Sequence, residues 1–216
     1  MFTSPTVSHT TPTVFVVDDD DAVRRAVTRL IRSAGYLVEC FGSAREFLQY
    51  KSLARGCACL VLDVGLPDLN GLELQREVNA ANRTLPIVFL TGQGDIAMTV
   101  RAMKAGATDF LSKPVSDTEL LRAIDNALQH STRALAIRVE VDSIHERISL
   151  LTPREREVLG LLVEGRLNKQ AACELGIAEK TIKVHRARVM EKMEVRSLVE
   201  LVRATDKACI PRFLPH

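Results

Sequence analysis

Leu60-Val61-Leu62-Asp63-Val64-Gly65-Leu66-Pro67 runs from an apolar stretch through one carboxylate into a loop. An unbroken apolar run bounded by Gly and Pro is the pattern of a strand buried on both faces. Asp63 marks the point where that strand surfaces. Far upstream, Val14-Phe15-Val16-Val17 ends in the same way, in Asp18-Asp19-Asp20-Asp21. Two buried strands that both end in acids put several carboxylates at one edge of a sheet. Like charges gathered there repel unless a cation sits among them, which points to an acidic, metal-dependent site.

Outward from these strands, apolar runs alternate with helical spacing. Residues 13–17 lead into a helix over 20–34, with Ala22, Val23, Ala26, Val27, Leu30 and Ile31 at helical intervals and Gly35 as the stop. A strand follows over 37–41, then a helix over 43–53 capped by Ser43. The third strand is 60–63 and the third helix 71–81; the fourth strand is 87–90. A helix over 95–104 ends before Gly106, Phe110-Leu111 centre a short fifth strand, and a helix over 117–128 closes the series. Alternation of this kind gives an α/β, doubly wound, five-stranded parallel sheet. In strand order 2-1-3-4-5 the ligand-binding switch point lies between strands one and three, the two that end in acids. Strand four ends in Thr91-Gly92 and strand five runs into Ser112-Lys113-Pro114, so a hydroxyl and an ammonium reach the same rim. Acids, hydroxyl and ammonium together suit Mg²⁺ and a phosphoryl group.

The 216 residues fit one large domain or two small ones, with 46% hydrophobic and 26% charged residues as in a globular protein with a real core. The formal charge of +2 conceals an asymmetry. Residues 1–130 carry 13 Lys/Arg against 15 Asp/Glu (net −2), and residues 151–216 carry 13 against 9 (net +4). Two domains with different partners are expected. The first dozen residues are Ser/Thr/Pro-rich without a basic start or an apolar stretch, and read as a disordered tail rather than a secretory signal. No apolar stretch approaches the roughly 20 residues that cross a bilayer, so no membrane partner is expected. The cysteines Cys40, Cys57, Cys59, Cys173 and Cys209 are odd in number and include no CxxC pair, which fits free thiols in a reducing cytoplasm.

The back half changes character. Residues 131–150 have balanced charge and neither Gly nor Pro, with Ile137, Val141, Ile144, Ile148 and Leu151 spaced by four and three. That stripe predicts a helical connector, packed on one domain or paired in a dimer. Thr152-Pro153-Arg154-Glu155 is a capping box with Pro in the first turn. Short helices follow, ending near Gly165, over 168–175 before Gly176, over 179–192, and from Ser197. The helix over 179–192 carries Lys180, Lys183, Arg186 and Arg188 beside apolar Ile182, Val189 and Met193. Two short helices around a Gly turn, the second basic, describe a helix-turn-helix whose second helix enters the major groove of double-stranded DNA.

Val16-Val17-Asp18-Asp19, Leu62-Asp63 with Pro67 and Gly71, Thr91-Gly92 and Lys113-Pro114 resemble the receiver domain of bacterial two-component response regulators, with the flavodoxin/CheY-like strand order. Gly94-Asp95-Ile96-Ala97-Met98 and Ala102-Met103-Lys104-Ala105-Gly106-Ala107 resemble its FixJ-type subgroup. Leu151-Thr152-Pro153-Arg154-Glu155, Asn168-Lys169, Leu175-Gly176-Ile177 and residues 180–185 resemble the LuxR-type helix-turn-helix of the NarL/FixJ regulators. The resemblance implies phosphorylation of Asp63 by a cognate sensor histidine kinase. It implies Mg²⁺ held by Asp18, Asp19, Asp63 and the Gly65 carbonyl, phosphoryl oxygens bound by Thr91 and Lys113, and a cis Lys113–Pro114 bond. Asp20 and Asp21 are left as N-cap and first-turn residues of the first helix. Thr91 and Phe110 would carry the switch, Phe110 being otherwise an ordinary core residue. Homodimerisation would use helix four and strand five, with Val100, Arg101 and Lys104 as candidates or as a solvated face. On DNA, Lys183 and Val184 would meet base edges, and Lys180, Thr181, His185 and Arg188 phosphates; His185 has a packing role as its rival. Ala178 replaces the Ser N-cap common in the family, and Ala187 stands where some relatives place Lys.

The expected organisation is a disordered tail (1–12), receiver (13–130), helical linker (131–149), helix-turn-helix domain (150–208) and C-terminal tail (209–216). The expected protein is a cytoplasmic response regulator that activates transcription through RNA polymerase. A phosphoaspartate enzyme is the rival class, but it wants a second Asp two residues after the nucleophile, where Gly65 stands. A receiver fold that ignores phosphate is the third option, opposed by the complete acid–Thr–Lys set.

Overall fold

The computed structural model describes residues 11–50, 56–81, 85–92 and 96–209. Of the sequence-based expectations, the tail over 1–10, the end of the second helix beyond Tyr50, Gly94-Asp95 and the tail beyond Cys209 lie outside the described residues. The chain forms two compact units, residues 1–135 and 136–216.

In the first unit, β1 (Thr13–Val17), β2 (Leu37–Phe41), β3 (Ala58–Asp63), β4 (Ile87–Thr91) and β5 (Asp109–Ser112) form one sheet in the order β2-β1-β3-β4-β5. All four pairings are parallel. Between the strands run α1 (Asp21–Ser33), α2 (Ala44–Gln49), α3 (Gly71–Ala81) and α4 (Ile96–Lys104), with α5 (Asp117–Ser149) after the last. Side chains alternate across the sheet. Phe15, Val17, Leu60, Leu62 and Phe89 therefore enter one core, and Val14, Val16, Val61, Val88 and Leu90 the other. That double burial is why these strands read as unbroken apolar runs.

Local signals fix the helix ends. Asp20 caps α1, its Oδ1 accepting from Ala22 N at 2.7 Å and Val23 N at 3.2 Å, and Asp21 lies in the first turn. Gly35 follows in the left-handed region, at φ 90°. Ser43 caps α2 by accepting from Glu46 N at 3.2 Å. The third strand begins at Ala58 rather than Leu60, and two helix boundaries also depart from the sequence reading. The second helix stops at Gln49, because Tyr50 turns extended and sets its ring against Phe41, with centroids 5.3 Å apart. The helices expected over 117–128 and 131–149 are one helix of 33 residues. Its polar residues at the expected break are satisfied within the fold: Thr132 Oγ1 donates to Leu128 O at 2.9 Å, and Ser131 Oγ accepts from Ala58 N at 3.1 Å.

The second unit contains α6 (Pro153–Val163), α7 (Asn168–Glu174), α8 (Glu179–Lys192) and α9 (Leu198–Lys207). Their core gathers Val158, Leu162, Ala171, Ile182, Val189 and Leu201, and takes in Ile144 and Leu151 with Ile148 packed alongside. The lower part of the 137–151 stripe is thus docked on this unit, while Ile137 is exposed. Thr152 and Glu155 make the expected capping box, Glu155 Oε2 accepting from Thr152 N at 2.9 Å. The same Oε2 accepts from Lys192 Nζ at 2.7 Å, and Lys192 also donates to Leu150 O at 3.1 Å.

Candidate functional site

Strand register assembles the acidic rim. Val17 pairs with Leu62, so Asp18 and Asp63 leave neighbouring strands side by side. Thr91 pairs with Ser112, and Lys113 N donates to Thr91 O at 2.7 Å, which brings the last two groups to the same edge. The Lys113–Pro114 bond is cis.

Lys113 Nζ lies 2.7 Å from Asp18 Oδ2 and 2.8 Å from Asp63 Oδ1. Both carboxylates are almost fully buried, with side chains 4% and 8% exposed. The second oxygen of Asp63 accepts from Gly65 N at 2.6 Å, and Asp18 Oδ1 accepts from Asp20 N at 2.9 Å. Arg24 Nη1 donates to the Asp18 carbonyl at 2.6 Å, tying the strand end to α1. Two carboxylates around one ammonium leave a net negative charge in a half-dry setting. Burial pushes the Asp18 carboxyl above its ordinary range, and the bond to Lys113 only partly opposes it. Burial pulls Lys113 downward, but its bonds to Asp18 and Asp63 outweigh that and hold it above the ordinary lysine value.

Asp18 and Asp63 thus converge on the ammonium of Lys113. Asp19, in a bend just past the end of β1, is exposed. Among the described residues no three His, Cys, Asp or Glu gather into a group that could hold a metal. The donor chemistry of Asp18 and Asp63, hard anionic oxygens, nonetheless fits Mg²⁺. Thr91 is buried. Phe110 is half-buried against the core, its ring 5.8 Å from that of Phe89.

The sequence reading missed why Gly71 stands where it does. Gly71 N donates to Val64 O at 3.1 Å, and a Cβ there would lie 2.6 Å from the Asp63 carbonyl oxygen and 2.9 Å from Val64 Cα. Only hydrogen fits between α3 and the strand end that presents Asp63. On α4, Ile96, Val100 and Met103 are exposed with Arg101 and Lys104 beside them.

In the second unit, α7 and α8 are separated by a turn with Gly176 at φ 63°. Ile182, Val189 and Met193 anchor α8 in the core. Its outer face presents Lys180, Thr181, Lys183, Val184, Ala187 and Arg188, all exposed. Lys183 pairs with Glu179 at 3.1 Å, one turn earlier. Arg186 leaves this face and donates to Asn168 Oδ1 at 3.3 Å. His185 is half-buried with Nδ1 buried and lacking a hydrogen-bond partner, which favours its packing role. Ala178 is the N-cap of α8 and supplies no side-chain cap.

Comparison with known proteins matches both units. The family model described as response regulator receiver domain covers residues 14–125, and that of the bacterial regulatory proteins of the luxR family covers residues 149–205. Nodulation protein W of Bradyrhizobium diazoefficiens is 48% identical over 201 residues, covering 93% of this chain and 88% of that protein. Transcriptional regulatory protein FixJ of Rhizobium meliloti is 40% identical over 191 residues, covering 88% and 93%. Among solved structures, response regulator StyR superimposes with a TM-score of 0.79 at 48% identity, over 92% of this chain and all of that one. Full-length FixJ from B. japonicum gives 0.55 at 39% identity, over 92% and 97%. No described helix is long and apolar enough to cross a membrane.

Proposed function

The chain belongs to the two-component response regulators that join a receiver domain to a LuxR-type DNA-binding domain, and from that premise we propose that Asp63 accepts a phosphoryl group from a cognate sensor histidine kinase. The observation that carries this reading is the Lys113 ammonium held between Asp18 and Asp63 at the switch point of the sheet. A carboxylate oxygen of Asp63 attacks phosphorus, and the histidine nitrogen of the kinase leaves. Lys113, on one side, and Thr91, on the other, receive the phosphoryl oxygens. Asp18, Asp19, Asp63 and the Gly65 carbonyl would hold Mg²⁺, which supplies charge neutralisation for the transferring group. Gly65 in place of a second acid leaves the site without a general acid two residues on, in keeping with a signal that is stored rather than turned over.

Residues 13–130 act as receiver, 131–149 as helical connector and 150–208 as output. The phosphoryl group draws the Thr91 hydroxyl and turns Phe110 inward, and the altered α4–β5 face pairs with a second copy. Ile96, Val100 and Met103 supply the apolar contact there, with Arg101 and Lys104 at its margin. The dimer binds promoter DNA in the cytoplasm through α8 and activates transcription with RNA polymerase. Lys183 and Val184 read base edges, and Lys180, Thr181 and Arg188 contact phosphates; His185 serves chiefly to pack α8.

Incubation with acetyl phosphate and Mg²⁺ is expected to label the protein and raise its dimer fraction, and Asp63→Ala to do neither. Label on Asp63→Ala would overturn the acceptor assignment. Lys183→Ala is expected to weaken specific binding by about 1–3 kcal/mol and relax sequence preference. Equal losses on specific and random DNA in a gel-shift titration would make Lys183 a phosphate contact instead.

A further inference from the structure

Outside the acidic rim, α1 carries a second charged feature that the phosphoacceptor reading does not use. Arg24, Arg25, Thr28, Arg29 and Arg32 line a cavity of about 290 Å³, completed by Cys40 of β2. Arg25, Arg29 and Arg32 are four and three residues apart, so they share one helix face, and all three are exposed. The neutralisation is incomplete. Asp21 bonds both Arg24 and Arg25, and among the described residues Arg29 and Arg32 have no ion-pair partner. Among the described residues, Asp21 is thus the one carboxylate in an ion pair with these four guanidinium groups. Like charges at such spacings oppose the helix that holds them, unless an anion lies between. Thr28 adds an independent observation. It is 7% exposed, and its hydroxyl is buried without a hydrogen-bond partner, although a helical Thr ordinarily satisfies that group on the carbonyl one turn back.

We propose that this groove binds a small polyanion of the phosphate class, about the size of pyrophosphate. Guanidinium forks match phosphate oxygens in bidentate pairs, which an isolated chloride cannot exploit. The cavity lies at the lower end of ligand-pocket sizes of roughly 300–1,000 Å³. That size admits a small ligand and not a folded partner. Arg29 and Arg32 provide the two unspent forks, Arg25 flanks them, and Cys40 of β2 also lines the groove. None of the acidic-rim groups Asp18, Asp63 and Lys113 lines the groove, so the inference does not depend on Asp63 being a phosphoacceptor.

The test uses the full chain and inorganic pyrophosphate at constant ionic strength. Calorimetry is expected to show saturable one-to-one binding, and bound pyrophosphate to slow the labelling of Cys40 by an uncharged thiol reagent, read by peptide mass spectrometry. Cys173, exposed on the other unit, serves as the internal control and is expected to label at an unchanged rate. Arg29→Ser with Arg32→Ser is expected to weaken binding roughly tenfold or more, since two sets of charge-assisted hydrogen bonds are removed. Arg24 is left in place because it also holds the Asp18 carbonyl. Should the double serine variant fail to fold, Arg29→Lys with Arg32→Lys keeps the charge and loses the forks, and is expected to weaken binding several-fold. Pyrophosphate binding no stronger than that of sodium chloride at equal ionic strength, or binding unchanged in a folded variant, overturns the proposal.

Discussion

Each unit contains a lysine bonded to a buried acid, and the two sites have opposite characters. In the C-terminal unit, Lys192 meets Glu155, whose same oxygen also accepts from Thr152 N. One charge meets one charge, the capping box closes around them, and the bond to Lys192, first among the causes, holds Glu155 down at about 2. In the N-terminal unit, Lys113 faces both Asp18 and Asp63, and burial leaves Asp18 above its ordinary range. A satisfied ion pair of this kind fastens a helix. An unsatisfied one keeps a demand for positive charge or for the removal of a negative one, and that demand suits the proposed phosphoacceptor site with its divalent cation.

The contrast has measurable consequences. The largest is that removing an acid should act oppositely in the two places. Glu155→Gln is expected to destabilise the C-terminal unit by about 1–3 kcal/mol, because Lys192 loses its charged partner and a buried hydrogen bond weakens. Asp63→Ala, which leaves one carboxylate for one ammonium, is expected to keep the N-terminal unit within about 1 kcal/mol of its stability or above it. Denaturant unfolding followed by residue-resolved NMR measures both units separately; the chain contains no Trp. A large loss on Asp63→Ala would make the acidic rim a structural site like the other.

Smaller in size, the pH dependence should differ in sign. Glu155 has a folded pKa below its unfolded one, so its contribution is complete above the ordinary carboxylate range and is lost as pH falls toward about 2. Asp18 has a folded pKa above its unfolded one, so its contribution is present at low pH and lost as pH rises through the raised value. As pH falls through the ordinary carboxylate range, the N-terminal unit should therefore gain on this account while the C-terminal unit begins to lose. Parallel pH profiles for the two units would erase the distinction.

The smallest effect compares two helix starts within one unit. Thr152 caps α6 fully, whereas Ala178 leaves α8 without a side-chain cap. Ala178→Ser is expected to raise thermal stability by about 0.5–1 kcal/mol. No gain would mean that another group already satisfies the first amides of α8.

Much of this was legible from the chain itself, for identifiable reasons. Double burial makes a strand read as an unbroken apolar run, so strand number and the acidic ends followed directly, while the strand order came with the family resemblance. Caps at Asp20, Ser43, Thr152 and Ser197 are local, and their hydrogen bonds appear where the residue types called for them. The rest depends on contacts distant in sequence. Lys113 lies 95 residues from Asp18, and nothing local says that it would occupy the place between the acids. The continuity of α5 rests on Ser131 meeting Ala58, a partner 73 residues away. The sequence reading passed over the arginines of α1, whose groove takes shape only with Cys40 of β2 placed beside them.

Gly71 takes no part in chemistry, yet it decides where the chemistry happens. Every codon change that replaces it adds a carbon that would collide with the Asp63 carbonyl. A screen for alleles that silence this regulator should therefore recover substitutions at Gly71 with the Asp63 codon intact. Such alleles would be mute to the kinase rather than absent from the cell if α3 can retreat from the strand, and would be degraded if it cannot. A hydrogen atom on a helix thus sets part of the mutational cost of keeping the signal input in working order.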